Sequence, residues 1–353
     1  MHWVDEHQEG SDELNLRQKE ILKLVVSGYI QMSQPVSSLF IARKYRAGLS
    51  SATIRSIFSD LEEKGYLFSP HRSAGRVPTE KGYRLYVDQL PERLDLAEED
   101  RRLIQKEYLK REFQLVDILE VTSRILSMLT DYAGVVLSPE PEQSVLKHIE
   151  LIDMGQDEVL VVLVTRSGTV YSKILSLENR IPADYLQKIS RYLNETLKGC
   201  DLREIRSRLE EESEGGEMVQ YFPMIARTIT ANFDLVKGEE QLFTSGLDNL
   251  YTQVAQGQME RIKGLGNLFD TGDPIRSIFK KTLDLDGLVV LINGDRDNRL
   301  DNLSIVTGSY KMGEKRIGAI GVIGPNRMDY VRVLSIVEYT RALISNMITK
   351  LSN

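Results

Sequence analysis

The chain holds 353 residues, 41% hydrophobic and 27% charged, with a net charge of −7, a length that allows two or three domains and a balance ordinary for a soluble protein. No run of about 18 apolar residues occurs, which excludes a membrane-spanning helix. The single cysteine, Cys200, excludes an internal disulfide and fits a reducing cytoplasm, and His2, His7, His71 and His148 show no metal-ligand spacing with it, so neither a metal nor another cofactor is expected.

Residues 1–13 carry five acidic side chains and no basic one, without an apolar period or a signal-peptide pattern, and read as a disordered tail. Leu14–Leu90 is the only basic part, with 12 Lys/Arg against 6 Asp/Glu. That asymmetry is expected when one small module meets phosphate and the rest does not. Within it, Asn15 can cap a helix with Gln18 in a capping box, and Ile21, Leu22, Val25, Val26 and Tyr29 share its inner face. Pro35 ends that helix, and Ser37 or Ser38 caps a short second one. After a turn at Gly48, Ser50 caps a third helix in which Ile54, Ile57, Phe58 and Leu61 fall at i, i+3, i+4 and i+7, with Gly65 as its stop. Three helices with a turn before the third follow the helix-turn-helix plan. Ala52, Ser56 and Ser59 then point outward, flanked by Thr53 and Arg55, short side chains plus one guanidinium that suit close approach to base edges. Asp60, Glu62 and Glu63 would be repelled by phosphate, so the first half of the helix should enter the groove. The period alone also fits the solvated face of an ordinary helix.

The following segment favours the first reading. Tyr66–Phe68 reads as a strand, and Pro70, Gly75 and Pro78 punctuate a hairpin holding His71, Arg72 and Arg76, the wing of a winged helix. Thr79 caps a fourth helix with Tyr83, Tyr86, Val87 and Leu90 inside. The expected DNA-binding set is therefore Ser51, Thr53, Arg55, Ser56 and Ser59 at bases and nearby phosphates. Arg72, Ser73, Gly75 and Arg76 on the wing, with Lys81 and Arg84 on the fourth helix, should serve the phosphates.

Residues 91–132 read as a helical linker. Leu115, Ile118, Leu119, Thr122, Ile125, Leu126 and Leu129 form a near-heptad stripe that either packs on the next domain or crosses a dimer interface. Strands follow at 135–137, 159–164, 169–174, 287–293, 303–310 and 316–323, and a long helix from Met328 to Leu351 closes the chain. These predict an α+β domain built from 133–183 and 280–353, interrupted by a mainly helical insertion at 184–279. Gly318, Gly321 and Gly324 alternate with β-branched residues, which suits a strand rather than a phosphate loop. No nucleophile elbow, HExxH or paired acid/base carboxylate set occurs, so no enzyme is expected.

The blocks SSATIR at 50–55, LEEKG at 61–65, SAGRVPTEKGYRLYVD at 73–88, LKHIELI at 146–152 and GVIGPNRMDYVRVLSIVEYTR at 321–341 resemble the heat-inducible transcription repressor family, HrcA. That resemblance implies an α+β multidomain chain with an N-terminal winged helix-turn-helix, a GAF-like α+β domain and an inserted dimerisation domain. It also implies a homodimer on an inverted-repeat operator of double-stranded DNA upstream of chaperone genes, with a chaperonin promoting the active fold and no membrane partner. Ser56, Arg72 and Asn326 depart from the family pattern, where Asn, a small polar residue and Thr are usual. An alternative from another class is a regulator that senses a small molecule through its GAF-like domain.

Overall fold

The computed structural model describes residues 14–45, 48–71, 74–91, 95–109, 114–140, 145–166, 168–177, 180–197, 199–201, 204–205, 207–209, 225–226, 229, 240–255, 273–293, 300 and 302–352. The expected acidic tail, Arg72, Ser73 and much of the helical insertion expected at 184–279 lie outside them.

The N-terminal unit is built by caps. In α1 (Leu16–Met32) Asn15 and Gln18 form the capping box, and Ser33 closes the helix in the left-handed region at φ 54°. Ser37 caps α2 (Ser38–Lys44) and Ser50 caps α3 (Ser51–Glu63), each accepting from an amide three residues on. Their apolar faces close one core of Ile21, Leu22, Val25, Ile41, Ile54, Phe58 and Leu61. A two-residue-deep hairpin, β1 (Leu67–Phe68) with β2 (Val77–Pro78), leads into α4 (Glu80–Asp88).

After α5 (Glu98–Tyr108) and α6 (Leu115–Thr130) comes β3 (Ala133–Leu137), the first strand of the body. The body is an antiparallel five-stranded sheet in the order β7-β3-β10-β9-β8, from β7 (Leu242–Ser245), β8 (Leu288–Ile292), β9 (Leu303–Met312) and β10 (Lys315–Pro325). Its strands are apolar on both faces because both are covered. Val136, Val306, Ile320 and Val322 share one core with α6 and the closing helix α10 (Tyr330–Ser352). Val135, Ile305, Ala319 and Ile323 share another with α8 (Leu247–Ala255) and α9 (Asp273–Thr282). The strand reading of Gly318 and Gly321 holds: an added Cβ would lie 2.3 Å from the Tyr310 hydroxyl and 2.4 Å from the Val306 carbonyl respectively.

Two expected boundaries move. Strands β4 (Leu146–Gly155), β5 (Glu158–Thr165) and β6 (Val170–Ser176), expected in the same domain as β3, pair only with one another as a separate three-stranded sheet. Helix α7 (Ala183–Thr196) covers one face of it, packing Leu186, Ile189 and Leu193 on Ile149, Val161 and Leu163. Conversely β7, expected inside the helical insertion, hydrogen-bonds to β3 in the body. Periodicity reports that a strand exists and not which strand it pairs with, so sheet membership escaped it. The α6 stripe is also settled: Leu115, Ile118, Leu119, Thr122, Ile125, Leu126 and Leu129 are all buried within the chain, which removes them from a dimer interface.

Candidate nucleic-acid interface

Helix α3 buries Ile54, Ile57, Phe58 and Leu61 and leaves Ala52, Thr53, Arg55, Ser56 and Ser59 exposed, as the 3.6-residue period requires. Arg55 is its only basic residue. Its Nε lies 3.4 Å from Ser38 Oγ, and Ser38 in turn touches Ser51 Oγ at 2.8 Å. Ser38 was not foreseen as a site residue. The Ser37-Ser38 pair holds the signal: Ser37 takes the cap and frees Ser38 to face α3. Ser59 Oγ donates back to the Arg55 carbonyl within the helix. Two of the three acidic residues of α3 have partners, Asp60 accepting from Gln18 at 3.4 Å and Glu62 pairing with Arg76 at 2.9 Å, and Glu63 is exposed. The N-terminal half of α3 carries no charge except Arg55.

The hairpin is fastened rather than loose. Val36 and Arg76 exchange two backbone hydrogen bonds of 2.9 Å, an antiparallel bridge that joins the α1–α2 connection to the hairpin. A Cβ on Gly75 would sit 2.4 Å from the Val36 carbonyl oxygen, so only glycine permits that approach. Arg76, half-buried, also reaches Ser69 Oγ at 3.2 Å. Thr79 Oγ1 donates to the Gly65 carbonyl at 2.6 Å, and Gly82 packs on the Tyr66 carbonyl, 2.4 Å from where its Cβ would be. Lys81 donates to the Lys64 carbonyl at the end of α3 and lies 4.4 Å from the Tyr66 ring. The blocks around 75–82 therefore fix the pose of α3 more than they offer free charge. Arg84 turns from the expected phosphate role: it binds Glu80 at 2.8 Å and the Ile292 carbonyl at 3.4 Å, on the side facing the body.

The family model for the HrcA protein C-terminal domain matches residues 116–334. Over 345 residues the chain is 41% identical to the heat-inducible transcription repressor HrcA of Leptospira biflexa, covering 96% of this chain and 99% of that one. The chain belongs to the HrcA family. Its likeness to the HrcA of Geobacter sulfurreducens, 35% identical over 95% of this chain and 98% of that protein, takes in the N-terminal unit as well as the body. A crystal structure of a hypothetical protein has the same fold, with a TM-score of 0.61 and 24% identity over 96% of this chain and all (100%) of that one. Both relatives are named heat-inducible transcription repressors, and among the described residues no cluster of three or more His, Cys, Asp or Glu could hold a metal ion. No described helix is long and apolar enough to cross a membrane.

Proposed function

We propose that this HrcA-family chain represses transcription as a homodimer, reading an inverted-repeat operator upstream of heat-shock chaperone operons with a winged helix-turn-helix at residues 14–90. The observation that carries the reading is α3: its outer face presents exposed Thr53, Arg55, Ser56 and Ser59 beside half-buried Ser51, while Asp60 and Glu62 are tied to Gln18 and Arg76. Short hydroxyls around one guanidinium suit a major groove, where Arg reads guanine bidentately. Exposed Lys81, with Arg72 and Ser73 outside the described residues, supplies phosphate contacts. Arg76 and Gly75 serve by holding the hairpin, and Arg84 by binding the body.

The dimer face we assign is the open side of the β4–β6 sheet. Ile152, Leu160 and Ile174 stand in register across it, with Ile152 and Ile174 exposed by 43% and 50%, and α7 occupies only the other side. A sheet apolar on both faces calls for a second cover. The body is the GAF-like domain in this reading, and both its faces are filled by the chain's own helices, so nothing observed favours the ligand-sensor alternative. By family resemblance, a chaperonin maintains the DNA-binding form, and the repressor works in the cytoplasm, where its operators are. Footprinting on the promoters of chaperone operons tests the proposal. Two protected half-sites, about one or two helical turns (10.5–21 bp) apart, are expected; protection without symmetry, or none, would sink it.

A further inference from the structure

The two long family blocks, 73–88 and 321–341, meet in space. Arg327, in the turn between β10 and α10, donates to the hydroxyl of Ser33, the left-handed cap of α1. One residue earlier, the Asn326 amide donates to Asn293 Oδ1 at 2.6 Å and accepts from Ser304 Oγ at 2.7 Å. Asn293 passes the link on, donating to Glu80 Oε2 on α4 at 3.0 Å. The Tyr83 and Tyr330 rings pack beneath, their centroids 6.3 Å apart. Burial pushes the Tyr330 hydroxyl far above the usual phenol range, so it stays protonated and holds the Asn326 carbonyl at 2.9 Å. Asn326 serves Asn293 and Ser304 from two separate atoms, Nδ2 and Oδ1, where a Thr would have to donate and accept through one oxygen.

Three bonds thus join the N-terminal unit to the body: Arg327 to Ser33 at the end of α1, Asn293 to Glu80 on α4, and Arg84 on α4 to the carbonyl of Ile292, the last residue of β8. None of them touches the exposed face of α3. We propose that the 326–330 turn sets the angle of the reader on the body, with Arg327 and Asn326 as positioning residues that decide the half-site spacing a dimer accepts. The inference rests on the dimeric repressor reading. If the dimer is held through the separate β4–β6 sheet, each reader's place relative to the two-fold axis depends on this seam. One base step is about 3.4 Å, so a small tilt at the seam shifts α3 along the DNA, and a loose seam blurs spacing before it affects contact with a single half-site.

The test starts from duplexes selected out of a random pool by the full-length wild-type chain. From the selected sequence, duplexes carrying one half-site, or two with their separation stepped one base pair at a time, are titrated with wild type, Arg327→Ala, Asn326→Ala and Arg327→Lys. Wild type should show a sharp spacing optimum. Arg327→Ala and Asn326→Ala should bind the single half-site within about two-fold of wild type and lose about ten-fold or more of the two-site advantage at the optimum, with a flattened profile. Arg327→Lys, which can still reach Ser33, should recover the optimum. An unchanged profile in both alanine variants overturns the inference, as does an equal loss on single and paired sites, which is what a merely destabilised fold gives. If thermal melts show that Arg327→Ala fails to fold, Ser33→Gly removes the same bond from the other side at a position whose φ suits glycine. A wild type with no advantage on paired sites overturns the dimeric reading, and this inference with it.

Discussion

Arg55 and Arg76 lie on neighbouring elements of one basic unit and have different work. Arg55 is exposed and, among the described residues, its side chain bonds only Ser38, at a weak 3.4 Å, which leaves it able to move onto a base. Arg55→Ala should leave the melting temperature unchanged and cost operator binding about 1–3 kcal/mol while sparing binding to random DNA; equal losses on both duplexes would remove it from base reading. Arg76 is held by Glu62, Ser69 and the Val36 bridge. A half-exposed ion pair alone is worth at most about 1 kcal/mol, so Arg76→Ala should lower stability modestly and weaken all DNA binding through a looser hairpin. Gly75→Ala forces a Cβ to within 2.4 Å of a backbone carbonyl. Its cost, on the scale of about 1–3 kcal/mol for overpacking, should appear as a lower melting temperature with α3's own residues untouched. The spacing of Ser50, Arg55 and the apolar i, i+3, i+4 set was enough to orient α3's face. It could not show that Arg76 and Gly75 act inward, because their partners, Val36 and Glu62, are distant in sequence.

At the scale of elements, the three-stranded sheet shows how an edge is managed. The free side of β4 is not bare: Ile149 N–H donates to Asn194 Oδ1 at 2.9 Å, its carbonyl accepts from Asn194 Nδ2 at 2.7 Å, and Leu151 N–H donates to Ser190 Oγ at 3.0 Å. Two side chains of α7 thus take the place of a neighbouring strand. Asn194→Leu leaves a buried donor and acceptor without partners, a cost of about 1–3 kcal/mol for each. Hydrogen exchange at the Ile149 amide should speed up in that variant, and the sample should gain aggregates; unchanged exchange would show that the helix is incidental to the edge. That a helix stands here agrees with the mainly helical character expected from residue 184 onward. That its polar residues Ser190 and Asn194 cap a strand edge was not legible, since in sequence they are ordinary surface positions.

Over the whole molecule, one hydrophobic cluster runs from Leu14 in the N-terminal unit through Ile104 and Tyr108 of α5 and the α6 stripe to Val333 and Ile344 of α10. Asp100 on α5 and Arg332 on α10 add a two-bonded ion pair at 3.1 and 3.3 Å across the same junction. Units that share a core lose it together, so heating should unfold the reader and the body in one transition, while the β4–β6 unit, with its own cluster, is free to melt apart. Hydrogen exchange resolved by segment would show this; a reader that keeps its protection after the body has lost it would contradict it. The open sheet face carries a second prediction at this scale. Leu160→Glu with Ile174→Glu adds charge to the proposed dimer face and touches none of the α7 side, so light scattering should report a folded monomer with weakened operator affinity.

The sequence by itself determined the local elements, their caps and their inner faces, because these depend on side chains within about one or two helical turns of each other. It also located the only basic module and, through five blocks of residues, the family. Tertiary structure alone decided what those elements join: β7 to β3 in the body, β4–β6 to one another, the α6 stripe to an internal core, and Arg84 and Arg327 to the seam between reader and body. Pairing and docking are settled by shape and hydrogen bonding between segments far apart in the chain, and no periodicity within one segment encodes its partner.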